Sequence, residues 1–180
     1  MAIRSTNTAS LLRWSAITVP LVLLLGFASG MSAPAGRDNA WYMALSRPAQ
    51  TPPDWAFPVA WTTIYVLLGL AIAIVLAARP APGRGLATVL FMAGFALSLA
   101  WMPVFFGMHL VSAAVWLIAT MLVVGIATTF AFARVRRVAA WLMVPYLVWI
   151  SFAGVLTWSI DRMNPDAETL VPPPATSQMS

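Results

Sequence analysis

Five apolar runs, each near the roughly 20 residues that cross a bilayer as a helix, dominate this chain. They lie at about Leu11–Gly30, Ala56–Ala78, Leu86–Phe106, Leu110–Phe132 and Val138–Ile160. A backbone in lipid must satisfy its own N–H and C=O groups, which leaves only helices and closed barrels. The runs are rich in Leu, Ala, Val and Ile without sustained two-residue alternation, so they predict helices. Of 180 residues only 8% are charged and 61% are hydrophobic, with a mean hydropathy of +0.86. A soluble domain carries roughly 25% charged residues. The expected fold class is an all-α integral membrane protein, a five-transmembrane-helix bundle.

This divides the chain into an N-terminal segment (1–10), a five-helix domain (11–163) with an aromatic-proline loop at 31–55, and a tail (164–180). The tail is rich in proline and small polar residues and predicts disorder. Pro58 suits the first turn of the second span. Pro103 and Pro145 lie inside the third and fifth spans and should kink them or free a carbonyl. Ala81–Gly85 reads as a turn and Arg134–Arg137 as a basic connector. The joint at Gly107–His109 is short enough to force spans three and four into an antiparallel hairpin. Met31-Ser32-Ala33 resembles a signal-peptide cleavage site, but the long apolar stretch and Pro34 favour a retained span.

With five spans the termini face opposite sides. The N-terminal side collects Arg4, Arg13, Arg79, Arg84, Arg134, Arg136 and Arg137 and no acid. The other side has Arg37, Arg47 and Arg162, with Asp38, Asp54, Asp161, Asp166 and Glu168. Arginine bias predicts a cytoplasmic N-terminus and an outward-facing aromatic loop. The formal charge of +5 then sets orientation and implies no nucleic-acid partner. Long apolar helices fit an inner membrane.

Catalytic parts are scarce. There is no cysteine, which excludes disulfides and sulfur-based zinc sites. No Asp, Glu or Lys lies well inside a span, which argues against a proton-coupled transporter or ion channel. His109 is the only histidine; it reads either as a turn residue or as a haem axial ligand. No nucleophile motif with its base is present, so neither catalytic residues nor a metal site are expected.

Aromatic residues remain. Phe57, Trp61 and Tyr65 share a helical face at steps of four. Gly94, Ser98, Trp101 and Phe105 share a face of span three at steps of four, three and four, and Tyr146, Trp149 and Ala153, leading to Leu156 and Thr157, share one on span five. One reading is helix packing with interfacial tryptophan belts, which Trp14, Trp116, Trp141 and Trp158 fit. The other is an apolar cavity for a flat hydrophobic ligand, lidded by the proline-rich loop. Gly94 and Ser98 also form a small-xxx-small pair that suits a helix–helix or dimer contact.

The segment WYMALSRPAQTPPDWAFPVAWTTIY resembles the first-loop and second-helix signature of the TspO/MBR family, the tryptophan-rich sensory and translocator proteins. The residues that carry it are Trp41-Tyr42, Leu45, Arg47-Pro48, Pro52-Pro53, Trp55, Phe57-Pro58, Trp61-Thr62 and Tyr65. Trp101-Met102-Pro103-Val104-Phe105-Phe106-Gly107 and Pro145-Tyr146-Leu147-Val148-Trp149 are similar to later family motifs. The resemblance spans about Trp41 to Asn164.

It implies a homodimeric five-helix membrane protein that binds protoporphyrin IX or haem and takes part in stress-responsive regulation of tetrapyrroles. The alternatives are light-dependent porphyrin degradation or tetrapyrrole transport. Carried over by position, the pocket would use Trp41, Phe57, Trp61, Trp101, Phe105, Tyr146, Trp149 and Leu156, with Tyr65 and Ser98 on the same faces. Arg47 or Arg162 would meet the ligand's propionates. The chain departs from the pattern at Ala49, Gln50 and Thr51, where many bacterial members carry tryptophan and asparagine. Ser98 and Thr157 also stand where asparagines are usual. These losses favour binding over catalysis.

Overall fold

A computed structural model describes residues 8–78 and 81–170. Arg4, Arg79 and the tail from residue 171 lie outside the described residues. Helix α1 runs Thr8–Gly30, and a 3-10 turn (Gly36–Asp38) leads to the short α2 (Ala40–Ala44). Four long helices follow: α3 (Ala56–Ala77), α4 (Arg84–Met102, continued by a π turn at Pro103–Gly107), α5 (Val111–Val135) and α6 (Arg137–Met163). The five long helices are all long and apolar enough to span a membrane. The chain is a five-span helical bundle.

The helices form a ring in the order α1, α3, α6, α5, α4, which α1 closes by a sparse contact with α4. Small residues set the close seams. A Cβ on Gly69 of α3 would sit 2.7 Å from the Val19 Cα of α1. That approach lets Thr18 Oγ1 donate to the Gly69 carbonyl at 2.7 Å. Gly125 of α5 likewise lies under Tyr146 and Leu147 of α6. Without a hydrophobic force between helices in lipid, such backbone approach is a principal source of association. Leu24, Val89, Trp116, Val123, Phe130 and Val148 are exposed and point outward, as lipid contact requires.

Three connections refine the sequence expectations. The basic connector at Arg134–Arg137 narrows to one residue: Arg136 alone leaves helical geometry (φ −153°, ψ 119°) between α5 and α6. Pro103, which has no N–H to give, opens a π turn closed by Met108 N donating to the Pro103 carbonyl at 2.8 Å. The hairpin to α5 then turns on His109, held at φ 59°.

The expectation of disorder from residue 164 does not hold for residues 164–170. Asn164 donates to the Ser46 carbonyl and accepts from Ser46 N, both at 2.8 Å. Ala167, in a 3-10 turn, is buried with Trp41, Tyr42, Leu45, Phe105, Val111, Ala114 and Ile160. This apolar cluster, the second beside the core of the bundle, caps one end of the bundle and ties the segment between α1 and α3 to α4, α5 and the chain after α6.

Candidate functional site: an aromatic cavity under the inter-helix loop

Asn39 fixes the start of the loop. Its side-chain oxygen caps α2 by accepting from Tyr42 N at 3.0 Å, and its amide donates to the Pro34 and Phe106 carbonyls. The π turn gives the adjacent rings Phe105 and Phe106 different roles. Phe105 is buried in the second cluster, while Phe106 faces a cavity and meets Tyr42 at 5.2 Å.

That cavity has a volume of about 650 Å³. Its inner wall carries Phe57, Trp61 and Tyr65 from α3 and Ser98, Trp101 and Phe106 from α4 and its π turn. The C-terminal third of α1 closes a third side with Gly26, Phe27, Ser29 and Gly30, joined by Met31 just after the helix. Gly26 is needed there because a Cβ would overlap the Tyr65 ring. Ser29 Oγ donates to the Leu99 carbonyl at 2.6 Å, tying α1 to α4 beside the cavity. Charged groups appear on the rim, where Arg37, Asp38 and Asp54 converge. Arg37 Nε lies 3.0 Å from Asp54 Oδ2.

The sequence-derived site residues separate into groups. Phe57, Trp61, Tyr65, Ser98 and Trp101 line the cavity. Trp149 stands behind it, edge-on to Phe57 at 5.9 Å and to Trp61 at 6.5 Å. Tyr146 is buried and hydrogen-bonds Ser98 Oγ at 2.7 Å, bordering a separate interior void of about 10 Å³. Leu156 is buried in the bundle away from the cavity wall.

Trp41 and Phe105 are not on the wall either. Trp41 is 1% exposed, stacks on His109 at 4.3 Å and donates its indole N–H to the Ala167 carbonyl. Phe105 stacks on Trp101 at 5.1 Å and so supports the wall from behind. The short α2 turns Trp41 wholly into the cap cluster, while its neighbour Tyr42, buried in the same cluster, also reaches the cavity. His109, packed on Trp41, is a turn residue and not a cavity group.

The propionate candidates fall elsewhere. The Arg47 guanidinium lies over the Tyr42 ring at 5.0 Å, and that of Arg162 over Trp158 at 5.7 Å. Neither belongs to the cavity wall. Gly94 and Ser98 are buried inside the single chain. Gly94 packs on Val124 of α5 and Ser98 on Tyr146 of α6, so this pair serves the bundle and offers no face to a second copy.

Sequence reasoning missed the whole α1 wall and the rim. Gly26 and Gly30, four apart in the first span, were the available signal for a small-residue face there. Nothing local marks Arg37 and Asp54 as partners, since 17 positions and α2 separate them.

Two indole nitrogens, Trp101 Nε1 and Trp149 Nε1, are buried with no hydrogen-bond partner in the protein. The one on Trp101 belongs to a wall residue and is a free donor for a bound acceptor. Among the described residues no group of three or more metal-ligating side chains assembles. The arrangement is chemically a receptor: stacking surfaces within, a few hydroxyl and N–H groups, and ionised groups at the rim.

Residues 16–163 match the TspO/MBR family. The chain is 37% identical over 152 residues to a tryptophan-rich protein TspO of Chlorobaculum tepidum, covering 83% of this chain and 95% of that protein. It is 35% identical to a tryptophan-rich sensory protein of Cereibacter sphaeroides, over 79% of this chain and 91% of that protein. The human translocator protein is 31% identical, over 78% of this chain and 84% of its own length. This five-span helical membrane protein belongs to the TspO/MBR family.

Proposed function

We propose that the chain is a membrane receptor for a flat, largely apolar tetrapyrrole, protoporphyrin IX or haem, and acts as a sensor or regulator in tetrapyrrole metabolism. The observation that carries this is the cavity of about 650 Å³ walled by Phe57, Trp61, Tyr65, Trp101 and Phe106, with its charges at the outward rim. Ligand sites of roughly 300–1,000 Å³ are mostly apolar with a few polar groups that fix orientation. A macrocycle would stack on the rings and leave its ionised edge at the rim. His109 lies outside the wall, so the macrocycle is held by its faces and not through imidazole. The arginine bias supports a cytoplasmic N-terminus, which directs the rim outward. If the family's homodimer forms, it uses a seam other than Gly94 and Ser98.

The test is a protoporphyrin titration of the purified protein in detergent, read by tryptophan fluorescence. Saturable quenching at micromolar concentration supports the reading, and its absence with both protoporphyrin and haem overturns it. Illuminating the complex separates a receptor from a porphyrin-degrading enzyme. A receptor leaves the pigment to bleach no faster than free porphyrin, whereas an enzyme produces a new absorbing species.

A further inference from the structure

Among the described residues, Arg37 is the only cation on the cavity wall, and it is already engaged. Its Nε lies 3.0 Å from Asp54 Oδ2, yet the Arg37 side chain is 85% exposed and that of Asp54 43%. An ion pair this open to water is weak and exchangeable. The two partners belong to segments held very differently. Arg37 sits in the 3-10 turn that Asn39 anchors through the Pro34 and Phe106 carbonyls. Residues 39–46 are held by Trp41 to Ala167 and by Ser46 to Asn164. Residues 48–55, by contrast, make local hydrogen bonds: Thr51 to the Pro48 carbonyl and Ala56 N to the Pro53 carbonyl. The Arg37–Asp54 pair is the ionic contact that joins this arm to the anchored turn across the cavity mouth. Gly36, at φ 60°, brings its backbone beside the Asp54 carboxyl carbon, 3.6 Å from where a Cβ would stand.

We propose that Arg37 is the carboxylate-recognising residue of the cavity and that Asp54 is its resident counter-ion, displaced when a ligand with a free carboxylate on one edge enters. The proposal rests on reading the cavity as the ligand site. A guanidinium fork suits a carboxylate, and the one it holds already is a carboxylate of the same chain. Exchange keeps Arg37 paired while releasing the 48–55 arm. Asp38 and the displaced Asp54 leave two negative charges at the rim beside one positive. The site therefore selects a single ligand carboxylate on Arg37, with any second one turned to solvent. A neutral or esterified ligand does not compete for Arg37 and leaves the pair closed.

The experiment compares protoporphyrin IX with its dimethyl ester, titrated into the full chain in detergent at fixed salt. Arg37→Gln should weaken the free acid by about twofold to fivefold, the scale of an exposed charged pair, and change the ester by less than about 1.5-fold. Asp54→Asn should tighten the free acid and leave the ester unchanged, because a competitor for Arg37 is gone. The opposite signs of the two variants exclude a general loss of fold. Equal losses for acid and ester in Arg37→Gln, no change for either, or weaker acid binding in Asp54→Asn would each overturn the proposal while leaving the cavity as the ligand site. Failure of the wild type to bind acid and ester alike would overturn both.

Discussion

Trp41 donates its indole N–H to the carbonyl of Ala167 across 2.8 Å, joining residues 126 positions apart at one end of the bundle. The bond lies in an apolar cluster, with Trp41 1% exposed, so neither group has water to fall back on. Trp41→Phe keeps a ring there but orphans the carbonyl. The expected loss is about 1–3 kcal/mol of stability. Thermal unfolding in detergent should show it. Porphyrin affinity should change little, because Trp41 is not on the cavity wall. A Trp41→Phe protein with wild-type stability and much weaker binding would place the ring in the pocket after all.

Trp61 and Trp149 make the reverse contrast. Trp61 lines the cavity, whereas Trp149 touches it through Phe57 and Trp61. Losing a stacking partner costs about 0.5–1.5 kcal/mol beyond its buried area. Trp61→Ala is therefore expected to weaken protoporphyrin binding by at least about fivefold. Trp149→Leu retains bulk behind the wall and should shift affinity less. Fluorescence titration of each single variant decides, and equal losses would mean that both rings meet the ligand.

The bundle was legible in the sequence because the demand of lipid on the backbone leaves little choice. The five apolar runs match the five long helices, and the Phe57, Trp61, Tyr65 periodicity names the α3 wall of the cavity. Periodicity places residues on a face but does not say what the face meets. Gly94 and Ser98 suit either a helix–helix or a dimer contact, and they pack against α5 and α6 of the same chain. The π turn at Pro103 moves Phe105 off the stripe that ideal helical steps assign it. The α1 wall was illegible for another reason. Gly26 becomes informative only when the Tyr65 ring is known to lie against it. Likewise the ionic rim depends on the path of the chain between Arg37 and Asp54, which no local pattern records.

Gly26 and Gly69 should respond differently to alanine. At Gly69 the added methyl meets Val19 backbone, which cannot rotate away, so α1 must shift from α3. Overpacking of this kind costs about 1–3 kcal/mol. At Gly26 the obstacle is the Tyr65 ring, a side chain bordering open cavity. Gly26→Ala should displace that ring into the cavity, weakening porphyrin binding with a smaller effect on unfolding. Gly69→Ala should lower the unfolding temperature first. Stability and affinity measured on both variants test the pairing, and identical profiles would refute it.

Ser98 and Tyr146 form a buried hydroxyl pair between cavity and interior void. Ser98 Oγ lies 3.1 Å from the Gly94 carbonyl, to which it donates, so the Tyr146 phenol at 2.7 Å is the donor to Ser98. Ser98→Ala leaves that phenol buried without a partner, an expected cost of about 1–3 kcal/mol. Tyr146→Phe removes the donor but leaves Ser98 bonded to Gly94, so it should cost less. In the double variant no phenol remains to be orphaned, and its stability should lie closer to that of Tyr146→Phe than the sum of the single effects allows. A coupling of at least about 0.5 kcal/mol in this cycle is expected for groups in direct contact. Strict additivity would show that the two hydroxyls do not depend on each other.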